Sequence, residues 1–100
     1  MVYLLHFDRP YPRDGRASVR HYLGFAENER TFSRRLDHHR SGSGARIMAA
    51  VSAAGIGFAV AKTWPKGDRT QERRMKNQRN AARFCPVCAA EKGQEVRRAA

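Results

Sequence analysis

Hydrophobic and polar positions fall into short blocks whose periods change along the chain. Residues 2–7 (Val-Tyr-Leu-Leu-His-Phe) form an apolar, aromatic-containing run that stops at Asp8-Arg9-Pro10. Its length and its ending predict a strand that leaves the core for a turn. Residues 8–20 carry two prolines, one glycine, two aspartates and four arginines, which predicts a solvated loop or a hairpin connection. Residues 21–25 (His-Tyr-Leu-Gly-Phe) then read as a second strand, with antiparallel pairing to the first as the simplest relation.

The period lengthens after that. Phe32 and Leu36 are four apart and share one face of a helix predicted over residues 27–40. Asn28 or Thr31 is its candidate N-cap, and Ser41-Gly42-Ser43-Gly44 ends it. Ile47, Met48, Val51 and Ala54 make a 3.6-residue stripe over residues 45–54, closed by Gly55. In residues 57–64 the large side chains of Phe58, Val60 and Trp64 alternate with smaller ones, which predicts a third strand. Pro65-Lys66-Gly67 punctuates the chain, and Asp68 is placed to cap a basic helix running to about Asn80. The order β-β-α-α-β-α predicts a small α/β (α+β) domain, with a three-stranded, mostly antiparallel sheet flanked by helices. Residues 1–84 hold that domain. Residues 85–100 are expected to be a short, loosely held segment ending in a basic tail.

Composition adds a partner class. One hundred residues allow one domain with a thin core. Twenty Lys and Arg against nine Asp and Glu leave a net charge of +11, which favours a polyanion. A hydrophobic share of 41% argues against disorder, and no apolar run approaches the ~18–20 residues that span a bilayer. The first residues lack a basic n-region and a cleavage-site pattern, so no signal peptide is expected. Two cysteines make no disulfide framework and suit a reducing cytosol. The expectation is a cytoplasmic chain without a membrane or small-molecule partner.

Chemistry-bearing residues recur in a recognisable order. Val2-Tyr3 lies in the first strand, Tyr22-Leu23-Gly24 in the second, Arg35 and His39 four apart on the first helix, and Glu72 among cations on the last. Over residues 2–83 this order resembles the GIY-YIG nuclease superfamily, and in particular a small standalone variant that ends in a Cys-Pro-x-Cys segment. The resemblance implies a GIY-YIG-like fold and a divalent-metal-dependent DNA endonuclease, a hydrolase of phosphodiester bonds. It implies Tyr3 as general base, Tyr22 as orienter of water or phosphate, Arg35 at the transition-state charge, His39 as proton relay or phosphate ligand, and Glu72 as the ligand of Mg²⁺ or Mn²⁺.

Elementary chemistry runs beside that implication. A permanently charged, fork-shaped Arg35 suits a phosphate oxygen. A tyrosine with an ordinary pKa near ~10 needs a nearby cation before it can act as a base. Gly24 would let backbone approach a phosphate. The same residues have plainer uses: strand aromatics in a core, a solvated helix face, and for Glu72 a helical ion pair with Lys76 four residues on.

Arg69, Arg73, Arg74, Lys76, Arg79 and Arg83 are expected to contact the phosphates of DNA without reading its sequence. Cys85-Pro86-Val87-Cys88 is half of a tetrahedral Zn²⁺ site, needing two more ligands from His6, His21, His38 or His39, or from a second copy of the chain. An unmetallated cysteine pair is the competing expectation, ahead of a redox role, for which the motif would have to open a helix after a strand. Two further functional readings stand beside the nuclease: a nucleic-acid-binding module that keeps the scaffold without catalysis, and a small zinc-binding accessory protein.

Overall fold

A computed structural model describes residues 1–78 and 81–91. Its elements are β1 (Val2–Arg13), β2 (Arg16–Phe25), α1 (Glu29–Ser41), α2 (Arg46–Ala53), β3 (Phe58–Trp64), α3 (Arg69–Asn77) and a 3₁₀ turn at Ala81–Phe84. The three strands form one antiparallel sheet in the order β2-β1-β3, so the first strand is central. The β-β-α-α-β-α order and the α+β class are those expected from the sequence.

The hairpin is longer than its polar composition suggests. Asp14 and Gly15 make a two-residue turn between Arg13 and Arg16, with Gly15 at a φ of 66°. Asp-Gly is a residue pair that two-residue hairpin turns favour, because both central residues take positive φ. Pro10 and Pro12 do not break β1, because β3 pairs with it only between Val2 and Phe7. Beyond Phe7 one side of β1 has no strand partner, and a missing N–H costs little there.

Alternation along β1 divides the core in two. Tyr3, Leu5 and Phe7 face α1 and α2, where Met48, Val51, Phe32 and Leu36 cover them. Val2 and Leu4 face the other way, under Leu23, Met75 and Cys85. Asn28 caps α1 by accepting the Thr31 N–H at 2.9 Å, and Met48 and Val51 of the second stripe are fully buried, whereas Ala54, expected in that stripe, lies past the end of α2 and is exposed.

Two expectations need correction. The alternation of Phe58, Val60 and Trp64 predicts a common face, but an irregularity between Leu4 and Leu5 leaves Ala61 as an extra residue in β3. Phe58 therefore joins the α1–α2 side and Trp64 the opposite side, edge-on to Phe84 at 6.1 Å between ring centroids. The segment after residue 84 is not loosely held where it is described. Cys85 is only 2% exposed, and residues 86–91 are helical. The apolar side of the sheet left bare by α1 and α2 needs a cover, and α3 with the Cys85 turn supplies it. Arg79, Asn80 and residues 92–100 lie outside the described residues.

Candidate functional site

On the α1–α2 side, the sheet and the first helix bring a phenol and an imidazole together. Tyr3 is fully buried on β1, and its hydroxyl lies 3.0 Å from His39 Nε2. His39 reaches it because α1 packs Phe32 and Leu36 on the sheet, which turns the face carrying Arg35 and His39 the same way. Phe32 and Tyr22 flank the Tyr3 ring at centroid distances of 4.9 and 6.2 Å. Tyr22 also meets the His39 ring edge-on at 5.2 Å. Gly24, paired with Tyr3 across the hairpin, lies beneath its phenol ring, and any Cβ there would collide with Tyr3. In this structure the glycine makes room for a side chain.

Electrostatics at this centre oppose a resting phenolate. Burial pushes the Tyr3 pKa up to about 12, and Tyr22 adds to the rise; the charge and hydrogen bonding of Arg35 pull it down by less. Tyr22 is likewise raised, by burial first, against the lowering effect of Arg35. His39 is lowered, by burial first and then by the positive charge of Arg35 and His38. A neutral His39 accepts the Tyr3 O–H at Nε2, which places its own proton on Nδ1. That Nδ1 is buried and has no hydrogen-bond partner among the described residues.

α3 approaches the tyrosines from β2. Asp68 caps it by accepting the Gln71 N–H at 2.8 Å, and Met75 anchors it in the core on the far side of the sheet. Glu72 is mostly buried, at 18% side-chain exposure, and pairs with Lys76 at 3.8 Å. Its negative charge is felt by both Tyr3 and Tyr22, and the Lys76 ammonium sits 5.7 Å from the Tyr22 ring centre. Tyr3, Tyr22, Arg35, His39 and Glu72, spread over four elements, therefore converge. The helical ion pair of Glu72 with Lys76 is present as well. Arg69, Arg73, Arg74, Lys76 and Arg83 are exposed, with Arg69 stacked 4.7 Å over the Phe25 ring. Of the cations expected to contact phosphate, Arg79 is outside the described residues.

The opposite side of the sheet carries a second cluster. His6 and His21 are direct partners across the hairpin, with Nδ1 and Nε2 3.2 Å apart. Cys85 Sγ lies 3.4 Å from His6 Nδ1, and Cys88 Sγ lies 3.7 Å from His6 Nδ1 and 3.2 Å from His21 Nε2. All four donor atoms fall within 4.8 Å of one another, a group that can hold a metal ion such as zinc. Of the four histidines offered by the sequence, His39 is committed to Tyr3 and His38 is exposed, so His6 and His21 alone meet the cysteines. Burial lowers the pKa of both, that of His21 to about 4, and raises that of the Cys88 thiol to about 11.

Comparison of the chain with protein-family models, curated proteins and solved structures gives no match. Among the described residues no helix is long and apolar enough to cross a membrane.

Proposed function

We propose that this protein is a divalent-metal-dependent endonuclease that hydrolyses DNA phosphodiester bonds at the Tyr3 centre. The observation that carries the reading is the Tyr3–His39 contact of 3.0 Å, with Arg35, Tyr22 and Glu72 acting on the same phenol. The net charge of +11 and the exposed arginines of α3 supply the affinity for a polyanion.

Hydrolysis needs an activated water, neutralisation of the charge that builds on the phosphoryl oxygens, and help for the leaving oxygen. Tyr3, with a pKa of about 12, starts as the neutral phenol. It takes a proton from water as it passes its own along the existing hydrogen bond to His39 Nε2. Arg35, whose positive charge acts on the phenol, would draw a phosphate oxygen toward it. Tyr22, beside the Tyr3 ring and edge-on to His39, orients the water or the phosphate.

Glu72 is a single carboxylate that pairs with the Lys76 ammonium among the described residues. One carboxylate fits Mg²⁺ or Mn²⁺, ions that keep several waters and complete their shell with substrate phosphate. When bound there, such an ion supplies charge neutralisation at the scissile phosphate.

Incubation of the purified protein with supercoiled, nicked and branched DNA and either Mg²⁺ or Mn²⁺ tests the reading. Cleavage that is lost in Glu72→Ala supports it. No cleavage of any substrate, or equal cleavage by Glu72→Ala, overturns it. Salt-sensitive, metal-independent DNA binding that survives loss of Tyr3 and Glu72 would instead fit a binding module.

A further inference from the structure

We infer that His6, His21, Cys85 and Cys88 form a structural Zn²⁺ site that fastens the C-terminal segment to the β1–β2 hairpin. The inference does not depend on the nuclease reading, because this cluster lies on the other side of the sheet from Tyr3 and His39.

The donor set points to the ion. Two thiolates and two neutral imidazoles form a Cys₂His₂ set, which suits tetrahedral zinc and gives a neutral centre with a dication. The spacing agrees. Zinc bonds of about 2.3 Å to sulfur and about 2.0–2.1 Å to nitrogen imply N···N edges near ~3.3 Å and S···N edges near ~3.6 Å in a regular tetrahedron. The observed N···N separation is 3.2 Å, three of the four S···N separations are 3.2, 3.4 and 3.7 Å, and every donor pair lies within 4.8 Å.

Hydrogen bonding alone accounts for the cluster poorly. His6 Nδ1 has His21 Nε2 and both sulfurs within 3.7 Å, and one ring nitrogen cannot serve all three as donor and acceptor. Four lone pairs converging on one point are what a metal requires.

The surroundings continue the pattern. With His6 bound through Nδ1, its Nε2–H faces the Glu91 carboxylate at 3.9 Å, and Arg20 holds that carboxylate at 3.5 Å. A carboxylate behind a ligating imidazole is the usual outer support of a zinc site. The need is also physical. A chain of 100 residues has a thin core, and the cover on this side of the sheet rests on few apolar side chains. The ion would tie strands β1 and β2 to the turn at Cys85, 79 positions along the chain from His6.

The test uses the full chain purified without chelator in reducing buffer. Zinc content by elemental analysis should be one ion per chain. X-ray absorption at the zinc edge should show two sulfur and two nitrogen neighbours. Replacement by Co²⁺ should give the intense visible bands and the sulfur-to-cobalt charge transfer of a tetrahedral thiolate site. Cys88→Ser and His21→Ala should lose or weaken the ion, whereas His38→Ala should retain it at full stoichiometry. Removal of zinc should lower the melting temperature, and re-addition should restore it. A wild-type chain that carries no zinc and takes up neither Zn²⁺ nor Co²⁺ overturns the inference, even if the variants fail to fold. An absorption shell without sulfur overturns it equally.

Discussion

The Tyr3 hydroxyl and His39 Nε2 stand 3.0 Å apart although the two residues are 36 positions apart in the chain. Neither group is an effective base in the form it rests in. Tyr3 is a neutral phenol, and His39, although neutral and able to accept a proton, is made a weaker base by burial and by neighbouring cations. In the proposed mechanism the pair would move one proton without a resting phenolate.

Loss of either partner should therefore cost about as much as loss of both. Tyr3→Phe and His39→Gln are each expected to slow DNA cleavage roughly 10²- to 10⁴-fold, and the double variant to be little slower than either. Single-turnover rates at saturating DNA measure this. Multiplicative losses in the double variant would mean that the two act separately.

Acid should switch the same pair off. His39 must be neutral to accept the Tyr3 proton, so the cleavage rate should rise with pH through the His39 pKa, which lies below its ordinary 6.5. No second rise is expected near neutrality, because Tyr3 titrates at about 12. The same shift affects stability. The unfolded chain binds a proton at His39 more readily than the folded one, so this contribution is complete above pH 6.5 and is lost as pH falls through the lower, folded value. Urea titrations at several pH values should show a shallower acid dependence in His39→Gln than in the wild type.

Gly24 should tolerate no side chain. In Gly24→Ala the new Cβ meets the Tyr3 phenol ring, which is already held by Phe32 and the sheet. Overpacking of this kind costs about 1–3 kcal/mol. Denaturant midpoints should fall accordingly, and the Tyr3–His39 hydrogen bond should lengthen in a structure of the variant.

Asp68 should matter to Glu72 through the helix. Asp68→Ala removes the acceptor for the Gln71 N–H and should cost about 1 kcal/mol by denaturation. Fraying of the first turn of α3 would also move Glu72, so metal-stimulated cleavage should need more Mg²⁺ than in the wild type.

Exposed arginines of α3 should act on DNA without regard to its sequence. Arg73→Ala and Arg74→Ala are each expected to reduce the slope of log K against log salt by about 1, equally for unrelated duplexes. Fluorescence anisotropy over a salt series gives the slope. A change confined to one DNA sequence would mean base contact instead.

The elements were largely legible because their signals are local. Caps at Asn28 and Asp68, the Met48–Val51 stripe and the breaks at Gly55 and Pro65 each act within one or two turns of chain. Pro10 and Pro12 hid the length of the hairpin, since a proline is harmless only where the neighbouring strand has ended, and that depends on where β3 stops. The burial of the last segment has a similar origin, out of reach of local pattern. Cys85 is buried by an uncovered sheet face, and the face does not exist until the strands have paired.

By itself, then, the sequence determined the order of elements, the apolar run of the first strand, the excess of positive charge and the residue types available for chemistry. Only the tertiary structure decided which of those residues meet. Counted back from the Asp14-Gly15 turn, an unbroken ladder would set His6 opposite Leu23; the irregularities between Arg13 and His6 set it opposite His21. Those irregularities make the histidine pair, and the turn at Cys85 brings two thiols to it. Register and bulges arise from packing on both faces of the sheet at once, so no local pattern in 100 residues could have specified that His6 would choose the cysteines and His39 would choose Tyr3.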